Sequence, residues 1–441
     1  MSKDMTKGNT TKVILQFAGP VFLGNLFNLA YNLADTRIIG TYLGNEALAA
    51  VGSISTFSDL IVGFVVGIAN GFAVITARFY GMDRKDKVKR SFSLSLFWGV
   101  LITAIIMLCS LIGLGAIMDI LHIQTQHKGD SSAYMSVILY GLIFSIIYNV
   151  LAANLRAIGD AYTPLIFLIL SACLNVVLDI LCVGALHMGV QGAAVATVIS
   201  QFISALLCFI YTWKKYEMLR FRGVDFLPEK DYTRLLLPAG FSMGLMSCLV
   251  SFGTVALQTA INTLGTNTIV AHAGTRKLTN LYMLPFSVLG TTMSTFAGQN
   301  YGAGRIDRIR EGLKRALFMA WGWCIVVIIM TYTICPYLIK AITDTEIQEV
   351  IDTACLYQRV DTLVYFLVPT ITILRNSLQG MGDHITPIFS SGLELVGKVV
   401  FALALTPSLG YWAIIFSEPV VWAIMVIPLI ISMLKRLKAV A

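Results

Sequence analysis

Apolar stretches of about 20 residues recur along the whole chain, each closed by glycine, proline or a knot of charge. That is the length a helix needs to cross the hydrocarbon of a bilayer. About twelve such spans can be laid out, centred near Asn25, Gly67, Thr103, Ser145, Ala172, Ser204, Ser247, Met283, Val327, Tyr365, Val400 and Trp422. Six precede and six follow a charged segment over residues 214–234. The pattern predicts an all-α integral membrane protein: a six-helix bundle over 1–213, a cytoplasmic linker over 214–234 and a second bundle over 235–441, with a central cleft.

The polar punctuation repeats. Residues 155–164 read LRAIGDAYTP and residues 378–387 read LQGMGDHITP, 223 positions on; FYGMDRKD at 79–86 returns as NYGAGRID at 300–307, 221 positions on. Two independent matches at nearly one offset mark a duplicated half. An even number of spans per half gives both copies the same orientation, so they are parallel repeats about an axis along the membrane normal, a common build for secondary transporters. The Gly-Asp before Thr-Pro is also a good turn and helix-start signal, and is first of all structural.

Composition agrees with lipid rather than water: 57% hydrophobic, 13% charged and a mean hydropathy of +0.78. The net charge of +8 changes the picture only through its placement. Of the 32 Lys and Arg, 25 fall in the termini, the linker and alternate loops on one side, while the opposite loops hold only Lys128 and Lys340. By the positive-inside rule both termini and the linker are expected in the cytoplasm of a cell-membrane protein. No basic patch is left for nucleic acid. The N-terminus is polar and runs into a full-length span without a cleavage site, so a retained first helix is expected. The eight cysteines lie in or near apolar spans without a C-x-x-C pair and read as small core residues.

A carboxylate at the centre of a bilayer costs at least about 2.5–3.5 kcal/mol on insertion scales, so each needs a partner or a use. Six fall within spans: Asp35, Asp59, Asp179, Asp361, Glu394 and Glu418. Asn25, Asn28, Asn32 and Asp35 step by three and four along one face of the first span. Asn175 and Asp179 stack one turn apart on the fifth, and Thr197, Gln201 and Ser204 share a face of the sixth. A rise of about 1.5 Å per residue puts Asp35, Asn175, Asp179 and Thr197 in one layer, roughly 6–12 Å beneath the outer surface. Two carboxylates, an amide carbonyl and a hydroxyl are the hard oxygen ligands of an alkali or alkaline-earth cation. Interhelical hydrogen bonding is the alternative use of such groups, and for the asparagines singly the two readings stand level. The repeat bears on the acids: Asp35, Asn175, Asp179 and Thr197 correspond to Ala256, Lys398, Ala402 and Glu418. The scaffold was copied and the cluster was not. In the second half Glu394 and Lys398 lie one turn apart, and Arg276, Lys277 and Asp361 lie at similar depth, where they are expected to pair structurally. Asp59 and Asn280 read as packing groups.

The run NLADTRIIGTYLGNEALAAVG at 32–52, the Asn175/Asp179 pair, the two G-D-x-x-T-P loops and the twin six-helix halves together resemble the multidrug and toxic compound extrusion (MATE) family over essentially the whole chain. The acid on the first span with Asn and Asp on the fifth and Thr on the sixth is similar to the DinF-like prokaryotic branch, which implies a cation or proton site at Asp35, Asn175, Asp179 and Thr197. The NorM-like branch places acids on the seventh and tenth spans. Here the seventh has none, and Asp361 stands 22 residues before Asp383.

The resemblance implies a transporter and not an enzyme. It would export organic molecules, cationic ones above all, in exchange for Na⁺ or H⁺ by alternating access. Polar cavity residues Asn28, Asn32 and Gln201 would meet the substrate. No cofactor is implied beyond the coupling ion, and the partners are a small organic molecule and the lipid bilayer, with a monomer expected. A flippase for lipid-linked saccharides is the rival of similar fold. It should carry a basic central cavity, and the intramembrane bases Arg276, Lys277, Arg359 and Lys398 all lie in the second half. The G-x-G-D at 380–383 mimics an intramembrane aspartyl protease, but no Tyr-Asp dipeptide exists to supply the second acid.

Overall fold

The computed structural model describes residues 4–439, and among them the secondary structure is entirely helical. The first helix, α1 (Thr10–Gly81), has 72 residues, about 108 Å at helical rise and far too long for one crossing. It breaks at Gly44, whose φ of 80° and ψ of −175° are open to glycine and strained for any side chain. Then follow α2 (Lys85–Ile120), α3 (Thr125–Ala157), α4 (Tyr162–Asp179) with a π turn at Ile180–Ala185, and α5 (Gly189–Lys215). Beyond the linker come α6 (Lys230–Ile261), α7 (Thr266–Gly302), α8 (Ile306–Thr333), α9 (Cys335–Thr343), α10 (Gln348–Leu363), α11 (Leu367–Gly380) and α12 (Ile385–Val400). A second π turn at Phe401–Leu405, α13 (Thr406–Leu409) and α14 (Tyr411–Ala439) complete the chain.

Counting α1 as two rods, and joining α9 to α8, α11 to α10 and α13 to α12, recovers the twelve rods that periodicity predicts. Among the described residues nine helical stretches are long and apolar enough to cross a membrane. One of these is the double α1. The α7 rod falls short because it carries many polar side chains, and the α10–α11 rod because its two helices, of 16 and 14 residues, are each too short alone.

The chain packs as two compact units, one of Gly19–Gly244 and the other of Met5–Ala18 with Leu245–Ala441. The exchange takes place inside α1 and α6, not in the linker. Within the second unit residues 5–18 are tied down firmly. The Met5 N–H donates to Gln299 Oε1 at 2.9 Å, and the buried Arg308 guanidinium donates to the carbonyls of Met5 at 3.2 Å and Gly8 at 2.9 Å. Within the first unit, α6 lies so close to α1 that a Cβ on Gly71 would stand 2.2 Å from the Ala239 carbonyl oxygen. Only glycine permits that approach, because the obstacle is backbone and cannot turn away.

The repeated G-D-x-x-T-P loops are one device built twice. Gly159 and Gly382 take φ of 88° and 82° to end the preceding helix. Asp160 then accepts the Thr163 N–H at 3.0 Å and the Thr163 hydroxyl at 2.6 Å, and Asp383 does the same with Thr386 at 3.0 and 2.8 Å. Each carboxylate satisfies an orphan donor of the next helix and also grips the last rod of its own half. Asp160 takes the Tyr216 hydroxyl with Lys215 at 3.7 Å; Asp383 takes Ser432 at 2.6 Å with Arg436 at 3.4 Å. Burial opposes the ionisation of both, but these hydrogen bonds and cations outweigh it and hold both carboxyls below their ordinary range.

Candidate cation site and the cavity beside it

Asp35 lies about 13 Å of helix before the break at Gly44, and Thr197 about 12 Å after the start of α5 at Gly189. Asp179 closes the regular part of α4, directly before its π turn. The three elements therefore bring their polar groups to one level of the first unit. Asn175 and Asp179 are buried, at 1% and 0% exposure, and Asp35 and Thr197 are half-buried.

The groups meet. Asn175 Nδ2 donates to Thr197 Oγ1 at 3.2 Å, and the Tyr31 hydroxyl lies 3.5 Å from the same oxygen. The Asp35 and Asp179 carboxyl groups are near enough to interact, yet as two carboxylates neither has a hydrogen to give. Asp35 Oδ1, both oxygens of Asp179 and Asn175 Oδ1 are all buried with no donor. A buried acceptor without a donor costs about 1–3 kcal/mol, more when it is charged. Four such acceptors lie on three residues of the first unit.

Beside this site lies a cavity of about 180 Å³, lined among others by Asn28, Tyr31, Asn149, Ser171, Ser200 and Gln201. Asn28 and Gln201, two of the three residues that the resemblance implies would meet the substrate, line this cavity. Asn32 does not line the cavity and is exposed. Tyr31 is the residue that the polar pattern passes over. It lines the cavity and touches Thr197, so it bridges the cavity and the acids. Its signal was its place one turn before Asp35, on the same face.

The second unit holds a different arrangement. Glu418 lies 3.2 Å from Arg276 and 3.4 Å from Lys398, while Lys398 also bonds Glu394 at 2.9 Å and Arg375 approaches Glu394 at 3.8 Å. The Glu394–Lys398 pair is as the one-turn spacing predicts. The expected pairing of Arg276 with Asp361 is not: Arg276 turns to Glu418, and the fully buried Asp361 has no hydrogen-bond partner on either oxygen. Equal depth along two helices does not fix azimuth, and Glu418 on α14 wins the contact.

A model of the MatE family matches the chain twice, over residues 20–181 and 242–403. The chain belongs to the MatE family. The two matches stand 222 residues apart, the same duplication that the loop motifs carry. Among relatives of this MATE chain, the probable multidrug resistance protein YpnP of Bacillus subtilis (strain 168) is 29% identical over 314 residues, 69% of this chain and 68% of that protein. The probable multidrug resistance protein YoeA of the same organism is 25% identical over 410 residues, 91% and 88% of the two. In structure, a MOP superfamily transporter from Pyrococcus furiosus matches with a TM-score of 0.90 at 23% identity, over 99% of this chain and 98% of that one, which shows the common fold.

Proposed function

We propose that this MATE-family protein is a multidrug exporter of the cell membrane, with both termini in the cytoplasm. It exchanges an organic cation for Na⁺ or H⁺ by alternating access, and the coupling ion binds at Asp35, Asn175, Asp179 and Thr197. One observation carries the reading: four buried acceptor oxygens on these residues lack any donor. Structural glue would be satisfied by its neighbours; this cluster is satisfied by a cation or proton. Asn175 and Thr197 coordinate but do not titrate, which favours Na⁺ over H⁺.

Inward movement of one charge gains about 2.3 kcal/mol per 100 mV of potential, a drive for export against a gradient. The Tyr31–Thr197–Asn175 contacts give the ion a direct handle on the cavity. An ion that binds one conformation better shifts the population toward it, and the cavity's affinity for substrate changes with it. A neutral polar cavity, with no Lys or Arg in its lining, suits a cation and offers nothing to hold a pyrophosphate.

Ethidium efflux from proteoliposomes under an imposed Na⁺ or pH gradient tests the proposal. One of the two gradients should drive efflux, and Asp35→Asn or Asp179→Asn should abolish it while the protein still inserts. Export unchanged in Asp179→Ala would remove the site.

A further inference from the structure

The outer surface of the first unit carries a second cavity, a groove of about 610 Å³ unrelated to the acids. Its walls are Phe97, Leu101 and Ala104 on α2 and Phe202, Leu206 and Phe209 on α5. Helix α3 packs against both α2 and α5 and forms the floor. Leu101, Phe202 and Leu206 are 40–44% exposed. Leu96 to Ala104 lie about 16–29 Å along α2 from its basic start at Lys85, and Phe209 to Phe202 about 9–20 Å along α5 from its basic end at Lys215. Once the first turns of α2, which carry Lys87, Lys89 and Arg90, are left to the headgroup region, the groove spans the half of the bilayer next to the basic face.

The linker closes the end of this groove. After α5 it forms two short 3₁₀ turns, Glu217–Leu219 and Gly223–Phe226, and Phe226 itself lines the groove. Phe226 is seated by Phe221 at 4.7 Å between ring centres, and Phe221 by Trp213 at 4.8 Å. Arg90 donates to the Val224 and Leu227 carbonyls at 2.5 and 2.8 Å, and Lys89 lies 2.7 Å from Asp225. The linker is therefore a docked collar rather than a tether. Its outward side mixes exposed Val224 and Leu227, at 60% and 61%, with exposed Lys214, Arg222 and Lys230, which form no ion pair among the described residues, and with the exposed acids Glu217 and Glu229, which pair with Arg220 and Arg90, and Asp231. Apolar and basic residues alternating on a short surface element are the mark of a segment lying in the headgroup layer.

We propose that this groove binds an acyl chain of an anionic phospholipid from the leaflet on the basic face, with Lys214 and Arg222 of the collar holding the headgroup. The apolar walls select a chain over any polar ligand, and the uncompensated cations at the collar select a negative headgroup over a zwitterionic one. The site lies apart from the acids, so its test does not depend on the transport reading.

The full chain, purified in detergent, is titrated with dioleoyl phosphatidylglycerol and with dioleoyl phosphatidylcholine, and retained lipid is counted by native mass spectrometry. One phosphatidylglycerol should be retained about tenfold more tightly than phosphatidylcholine. Lys214→Glu with Arg222→Glu should erase that preference, and Ala104→Trp, which fills the groove from α2, should reduce retention of both lipids. Lys128→Glu, on an acid-paired residue outside the collar, should change nothing. Equal retention of the two lipids by the wild type, or a preference that survives the double charge reversal, would overturn the proposal. The charge variants lie on exposed positions, so a poorly folding Ala104→Trp leaves the decision with them.

Discussion

Thr197 shows how much of the site hangs on single atoms. Its hydroxyl receives the Asn175 amide at 3.2 Å and lies 3.5 Å from the Tyr31 hydroxyl, while Asn175 Oδ1 is buried without a donor of its own. Valine keeps the shape and deletes the oxygen. A neutral hydrogen bond contributes about 0.5–1.5 kcal/mol, so Thr197→Val should raise the ion concentration for half-maximal transport about two- to tenfold. Its maximal rate should stay near wild type. The measurement is an ion titration in vesicles, and an unmoved midpoint would take Thr197 out of the site. The residues that meet here were readable because helix geometry is strict. Asn175 and Asp179 at one-turn spacing must stack, and depth arithmetic brought three helices to one level. Azimuth was not readable, since it depends on how each rod rolls against its neighbours. That is why Asn32 falls outside the cavity while Tyr31, one turn before Asp35, falls inside.

At the scale of elements, the repeated loop motif proves to be a cap that reaches across to the final rod of each half. Asp160 binds the end of α5 and the Tyr216 hydroxyl, and Asp383 binds Ser432 and Arg436 on α14. Their folded carboxyls are held below the ordinary value. A depressed carboxylate contributes stability that is fully present above its unfolded pKa, near 3.8, and is lost as pH falls through the lower folded value. Thermal melting in detergent should therefore weaken below about pH 4. Asp160→Ala should melt lower at neutral pH by about 0.5–2 kcal/mol of cap energy and show a flatter acid limb. A variant with the wild-type acid profile would mean that Asp160 is not a source of the acid sensitivity. The caps were legible as Gly-Asp before Thr-Pro, but their long-range partners were not, because nothing local in LRAIGDAYTP names Tyr216. The break in α1 is hidden for a related reason. Gly40 marks an end on composition, yet it stays helical, and the chain turns at Gly44, where φ becomes positive. The twin π turns after Asp179 and Val400 have no sequence mark at all, since one extra residue per turn is a product of packing.

Over the whole molecule, duplication supplied the rods and divergence divided the work. The first unit leaves the buried Asp35 and Asp179 without a basic partner among the described residues, whereas the second surrounds Glu418 and Glu394 with Arg276, Lys398 and Arg375. That contrast predicts opposite responses to one kind of substitution. Asp35→Asn removes a charge that has no protein counter-charge, so folding should hold. Its melting temperature should lose the rise that saturating coupling ion gives the wild type, a rise of about 2.7 kcal/mol at a hundred times the dissociation constant. Glu418→Gln takes away the only carboxylate that pairs with Arg276 among the described residues and leaves Lys398 with Glu394 alone, and removing one partner of a buried pair costs about 3–5 kcal/mol. It should lower the melting temperature and the yield sharply, yet whatever folds should still be stabilised by the ion. Melting each variant with and without Na⁺, at neutral and at acid pH, separates the two effects. If Glu418→Gln abolished the ion response while Asp35→Asn kept it, the coupling site would have to lie in the second unit, with the unpartnered Asp361 as the acid to examine.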